Sequence, residues 1–75
     1  MARIDPQTIN KRLEKALAQA RDEADLTQID VARRLKKPQS FVSKYETGER
    51  KLNVGDYLAV CEALGIDPAS LLNRL

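Results

Sequence analysis

Residues 27–48, TQIDVARRLKKPQSFVSKYETG, decide the fold because they predict two short helices joined by a tight turn. In the second helix, expected to begin near Gln39, a 3.6-residue period places Val42 and Tyr45 on one side. The opposite side is short and polar and consists of Gln39, Ser40, Ser43, Lys44 and Thr47. Gln, Ser and Lys side chains form hydrogen bonds to base edges and to phosphates. The pattern therefore predicts a recognition helix that is anchored on one side and reads nucleic acid on the other.

The same stretch carries residues at the spacing of a known family. They are the Leu26-Thr27-Gln28 opening, Ala32 and Leu35 on the first helix, Val42, Tyr45, Glu46 and Gly48 on the second, and AVCEALGID further on. On these residues the chain resembles the phage repressor and Cro type of helix-turn-helix protein, also called the xenobiotic-response-element family, over about residues 17–72. The resemblance implies an all-α, lambda-repressor-like DNA-binding domain: a compact five-helix bundle with the helix-turn-helix at helices 2 and 3.

The turn between the two helices departs from the family pattern. Lys36 stands where the family favours glycine, so this residue either adopts a strained positive φ or belongs to a different turn. Lys37-Pro38 follows, and proline suits the first turn of a helix, where a missing N–H group costs little. We therefore expect Pro38 to begin the second helix of the motif.

Length and composition predict one small domain, 1–75, that is not an enzyme. A chain of 75 residues buries only about 60% of its unfolded surface, so oligomerisation would add useful stability. No apolar run reaches the length of a membrane span, and MARIDPQTINKR lacks the apolar core of a signal peptide, so a soluble cytoplasmic protein is expected. With no histidine and only Cys61, we expect no disulfide, no metal site, no cofactor and no general base. Cys61 itself lies within an apolar stripe and is expected in the core.

The net charge of +2 is unevenly distributed. Residues 1–25 carry five basic and five acidic side chains, residues 26–51 seven and three, and residues 52–75 one and three. The positive charge therefore coincides with the predicted reading unit, which suits a phosphate-binding face. A merely solvated helical surface would explain the charge alone equally well.

Local signals predict where the other helices begin and end. Asp5-Pro6 opens a first helix that runs to about residue 24, and Thr27 with Asp30 forms a capping box for the second. Asn53 opens a fourth helix that ends at Gly65. Asp67-Pro68 opens a short fifth helix that includes LLNRL.

Candidate DNA contacts follow from side-chain chemistry and from the resemblance. Gln39 is the best candidate for a bidentate contact to adenine, Ser40 and Ser43 suit lesser base or phosphate contacts, and Lys44 suits guanine or a phosphate. Backbone phosphate contacts are expected from Thr27, Gln28, Thr47, Arg50 and Lys51. The alternative for these five is ordinary solvation at a helix end and in a polar loop.

Three further residues have roles that the resemblance or the pattern leaves open. The resemblance implies a structural ion pair between Arg21 and Glu46, with a phosphate contact as the other use of Arg21. Phe41 either covers the core beside Tyr45 or touches a thymine methyl group or sugar. Ile29 does not fit the inward set and is expected to be partly exposed.

The C-terminal segment has more apolar surface than a short helix buries easily. We expect a twofold homodimer contact there, formed by Ile66, Leu71, Leu72 and Leu75, with simple docking onto the bundle as the alternative. The predicted function is sequence-specific binding to double-stranded DNA, as a repressor or controller that reads a palindromic operator. The alternative is an antitoxin-like module that uses the same fold to bind a different partner protein.

Overall fold

The computed structural model describes residues 5–75, and these form five α-helices connected by short turns and loops. The helices are α1 Pro6–Glu23, α2 Gln28–Leu35, α3 Gln39–Thr47, α4 Val54–Leu64 and α5 Pro68–Leu72. No strand occurs in this part of the chain, so the all-α, five-helix prediction is confirmed. None of the five helices is long and apolar enough to cross a bilayer.

Side chains at the helix starts form the predicted caps. Asp5 accepts a hydrogen bond from the Gln7 N–H at 3.1 Å, and Asn53 accepts one from the Asp56 N–H at 2.7 Å. At α2 the capping box is reciprocal, because Thr27 Oγ1 accepts from the Asp30 N–H at 3.0 Å and Asp30 Oδ2 accepts from the Thr27 N–H at 2.8 Å. Hydrogen bonds from Thr27 to the carboxylate, led by the one from its backbone N–H, lower the pKa of Asp30 below its usual range.

In the turn between α2 and α3, Lys36 takes the first of the two predicted alternatives, a positive φ. Lys36 adopts a left-handed conformation with φ of 56°, and the following Lys37 N–H donates to the Ala32 carbonyl at 3.0 Å. The expectation that Pro38 begins the next helix is wrong by one residue. Pro38 has an extended ψ of 156° and precedes the helix as its N-cap, so α3 begins at Gln39.

Replacing Lys36 with glycine should raise the free energy of unfolding by about 1 kcal/mol. The gain is expected because a left-handed conformation costs an L-residue roughly 1–2 kcal/mol, part of which the greater freedom of glycine in the unfolded chain offsets. Denaturant unfolding of the two proteins measures the difference. Lys37→Gly is the control, since Lys37 has no positive φ, and equal or lower stability of Lys36→Gly would contradict the expectation.

The core lies between the inner sides of α2 and α3 and the three helices α1, α4 and α5. Helix α2 packs on α3 and α4, and α1 packs on α3 and α5. The side chains that are almost completely buried are Leu17, Val31, Val42, Tyr45, Val60, Cys61 and Leu71. Burial raises the pKa of the Cys61 thiol, which therefore stays protonated and packs as a small apolar side chain, as predicted.

The C-terminal segment differs from the predicted dimer contact. Leu71 has no exposed surface, and Ile66 and Leu75 are half-buried against the same core. A hydrogen bond also links α5 to α4, because the Tyr57 hydroxyl donates to the Pro68 carbonyl at 2.6 Å. Leu71 is therefore unavailable to a partner, and of the four predicted residues only Leu72 is largely exposed.

Candidate nucleic-acid interface

Helix α3 is anchored by one side, and its polar side faces solvent. Val42 is 0% exposed and Tyr45 is 1% exposed, so both side chains fasten the helix to the core. Gln39, Ser40 and Lys44 are exposed and Ser43 is half-buried. The structure thus brings all four predicted base-reading residues to one accessible surface, which we call the reading face.

A partly buried ion pair links the end of α3 to α1. Arg21 Nε donates to Glu46 Oε2 at 2.7 Å and Arg21 Nη2 donates to Glu46 Oε1 at 3.1 Å, which is the bidentate geometry of a strong pair. The Arg21 side chain is 15% exposed and that of Glu46 is 7% exposed. The hydrogen bonds that Arg21 donates to Glu46 raise the pKa of Arg21 above its ordinary value. Arg21 also donates to the Leu26 carbonyl at 2.9 Å, so its guanidinium is engaged inside the protein.

Two glutamines extend this pair to the edge of the reading face. Gln28 Nε2 donates to Glu46 Oε1 at 3.0 Å, and Gln39 Nε2 donates to Gln28 Oε1 at 3.4 Å. Gln39 keeps its Oε1 acceptor and one N–H donor, and an adenine edge offers the complementary donor and acceptor in the major groove. The chain of contacts from Arg21 to Gln39 therefore orients the Gln39 amide, whose free acceptor and donor match those of an adenine edge.

The residues expected to bind phosphates lie at both ends of the motif. Thr27 and Gln28 stand at the start of α2, where the helix dipole favours an anion. Beyond α3, Arg50 Nη2 lies 3.4 Å from Asp56 Oδ2 and Lys51 Nζ lies 3.3 Å from Glu14 Oε2. These ion pairs are exposed and therefore weak, so a phosphate can replace the carboxylate partner.

The loop that carries these cations is set by Gly48. Its φ of 84° favours glycine, and a Cβ atom there would lie 2.9 Å from Glu14 Oε1. The Arg50 N–H donates to the Lys44 carbonyl at 3.1 Å, and Thr47 Oγ1 donates to the same carbonyl at 3.3 Å. Arg50 is thereby held against the last turn of α3, of which Thr47 is the final residue.

Phe41 lies beside Tyr45, which is one of its two predicted roles, whereas the contacts of its ring with two cations were not predicted from the sequence. Phe41 packs edge-on against Tyr45, with ring centroids 5.8 Å apart and an interplanar angle of 77°. The cations of Lys37 and Arg50 lie 5.7 Å and 4.7 Å from the centroid of the Phe41 ring. An aromatic residue four positions after one lysine is a weak signal, and the contact with Arg50 depends on how the loop folds back. Ile29, expected to be partly exposed, is 50% exposed.

The geometry is that of a helix-turn-helix with a free recognition helix, and a family model described as Helix-turn-helix (HTH_3) matches residues 17–71. The chain belongs to the Cro/C1-type helix-turn-helix family. Membership of this xenobiotic-response-element family identifies it as a DNA-binding transcriptional regulator. None of the curated protein sequences compared with the chain matches it.

Solved structures agree with the family assignment. An XRE-family like protein from Pseudomonas syringae pv. tomato is 41% identical, with a TM-score of 0.86 over 91% of this chain and 83% of that one. The restriction-modification controller protein C.AhdI from Aeromonas hydrophila is 26% identical, with a TM-score of 0.76 over 83% of this chain and 94% of that one. The clp gene regulator ClgR from C. glutamicum is 24% identical, with a TM-score of 0.82 over 88% and 86%, and this last likeness shows the fold alone.

Proposed function

We propose that this family member is a repressor or controller that binds a palindromic operator as a homodimer, with α3 in the major groove. The observation that carries the proposal is the orientation of α3, because Val42 and Tyr45 are buried while Gln39, Ser40 and Lys44 project from the protein. The similarity to a restriction-modification controller supports the controller role.

The base contacts are assigned to the reading face. Gln39 binds adenine through two hydrogen bonds, Ser40 and Ser43 make shorter-range base or phosphate contacts, and Lys44 binds guanine or a phosphate. Phosphate contacts from Thr27, Gln28, Thr47, Arg50 and Lys51 fix the register of the domain on the duplex without reading sequence. The Arg21–Glu46 pair is structural and holds α3 at its angle to α1.

Selection of bound duplexes from random DNA tests this function directly. We expect an enriched site with twofold symmetry, whose half-sites are about 10 base pairs apart between centres. Enrichment of no sequence, or of a site without symmetry, would overturn the proposal. The same experiment gives the bases opposite Gln39 and Lys44.

The homodimer requires a different face from the one predicted on α5 alone. Val54, Leu58 and Leu72 are 75%, 49% and 50% exposed, and they line one shallow groove with Tyr57 and Pro68. Among residues 5–75, no charged side chain lines this groove, which we call the α4–α5 face. An apolar face of this kind suits a self-complementary contact between two copies of the chain.

Replacing Leu58 with glutamate should convert the dimer into a monomer. A carboxylate in the centre of the apolar contact would lose its hydration without a partner, and the twofold axis places two such charges near each other. Sedimentation or light scattering measures the molar mass across a concentration series. Ile29→Glu is the matched control, because Ile29 is equally exposed but does not line the α4–α5 face. A Leu58→Glu protein that stays dimeric, or a wild-type protein that is monomeric when bound to DNA, would contradict this dimer.

A further inference from the structure

Phe41 lies at the flank of the reading face opposite Gln39, and two cations lie over its ring. The Lys37 ammonium is 5.7 Å and the Arg50 guanidinium carbon 4.7 Å from the ring centroid, both within range of a cation–π interaction. The ring itself is held by its edge-on contact with Tyr45, which belongs to the core. Phe41 therefore connects the core, through Tyr45, to two charged side chains at the surface.

Arg50 is held in place and still has donors to offer. Its backbone N–H bonds to the Lys44 carbonyl, and one guanidinium nitrogen lies 3.4 Å from Asp56 Oδ2. A guanidinium has five N–H donors, so the contact with Asp56 leaves most of them free. The side chain is 47% exposed, and an anion in solution can therefore reach it.

The cations surround an open depression of about 290 Å³ beside the reading face. It is lined by Lys37, Pro38, Ser40, Phe41, Lys44 and Arg50. Three of these six side chains are cationic and none is acidic. Their combined potential favours an anion, and the depression adjoins the side of α3 that faces the groove edge in the proposed complex.

We propose that Phe41 is a positioning residue that holds Arg50 and Lys37 beside Lys44, so that these cations together bind one phosphate of the DNA backbone. This inference rests on the proposed function and adds Lys37 and Phe41 to the interface. The two flanks of α3 then have different roles. The Gln28–Gln39 side orients a base contact, and the Phe41 side binds a phosphate of the DNA backbone.

The test measures DNA affinity by fluorescence anisotropy over a series of salt concentrations, on the selected site and on a random duplex. Lys37→Ala should reduce the slope of log K against log salt by a measurable fraction of about 0.9, the value for one complete phosphate contact on duplex DNA, because Arg50 and Lys44 still face the same phosphate. Lys15→Ala, on the outer face of α1, should leave the slope unchanged. Phe41→Leu should weaken binding about two- to fivefold on both duplexes, because a cation–π contact at an exposed site is worth a factor of this size.

A double-mutant cycle separates positioning from simple packing. Phe41→Leu should have a smaller effect on affinity in an Arg50→Ala background than alone, and Phe41→Tyr, which keeps the ring, should retain wild-type affinity and slope. Independent effects of Phe41→Leu and Arg50→Ala, or an unchanged slope for Lys37→Ala, would overturn the inference. If a thermal melt shows that the Phe41→Leu protein does not fold, the affinity and salt slope of Lys37→Ala and Phe41→Tyr still test the inference.

Two other outcomes have separate meanings. If replacing thymine by deoxyuridine in the site reproduces the loss seen with Phe41→Leu, the ring reads a methyl group and the positioning role is wrong. If the wild-type protein binds no duplex, the proposed function itself fails. If the wild type binds its site specifically, and the Phe41→Leu and Lys37→Ala proteins have wild-type affinity and salt slope, only this inference is wrong.

Discussion

Glu46→Ala should lower the free energy of unfolding by about 2–3 kcal/mol and weaken site-specific DNA binding as well. Removing one partner of a fully buried ion pair costs about 3–5 kcal/mol, whereas an exposed pair is worth about 0–1 kcal/mol. The pair lies near the buried end of this range, since Arg21 and Glu46 are only 15% and 7% exposed. The substitution leaves the Arg21 guanidinium with only the exposed Asp22 carboxylate, at 3.4 Å, and the Gln28 amide without its acceptor.

Denaturant unfolding and anisotropy measure the two effects. Glu49→Ala is the matched control, because Glu49 is exposed and lies outside the chain of contacts. The loss of binding should be larger on the selected site than on random DNA, since the Gln28–Gln39 contact depends on Glu46. Wild-type stability of the Glu46→Ala protein would show that the pair contributes nothing to the fold.

The second large effect is expected from Gln39→Ala, which should cost about 1–3 kcal/mol of binding on the selected site and little on random DNA. The amide is already oriented by Gln28 at 3.4 Å, so the free protein presents it in a defined direction. A bidentate contact to adenine discriminates between bases, whereas a phosphate contact does not. Equal losses on both duplexes would show that Gln39 binds the backbone.

A modified base gives an independent check of this assignment. Replacing the contacted adenine by 7-deazaadenine removes the N7 acceptor, so the wild-type protein should lose affinity and Gln39→Ala should lose none. Gln19→Ala, an exposed glutamine on α1, is the matched protein control. An equal effect of 7-deazaadenine on wild type and variant would contradict a contact from Gln39 to N7.

Most helix starts were predictable because their causes are local, whereas the end of α5 was predicted wrongly, since this helix ends at Leu72 and does not extend through LLNRL. Thr27 and Asp30 cap α2 through two hydrogen bonds that span three residues, and Asp67 caps α5 in the same way. The anchored side of α3 follows from the period of Val42 and Tyr45, which needs no knowledge of what they pack against. Pro38 was misplaced by one residue because its ring is compatible with both the N-cap and the first helical position, and only the observed ψ separates them.

Contacts between residues that lie far apart in the sequence depend on tertiary packing. Leu71 and Leu72 are adjacent and equally apolar, yet the first is buried and the second is half exposed, because the docking of α5 onto α4 sets which side turns inward. The Arg50 contact with Phe41 joins the loop after Gly48 to the middle of α3. Sequence by itself determined the helices, their caps and the polar side of α3, since these depend on neighbours within one or two turns. Tertiary structure alone decided which apolar face stays free and which cations converge, because those depend on the angles at which distant segments pack.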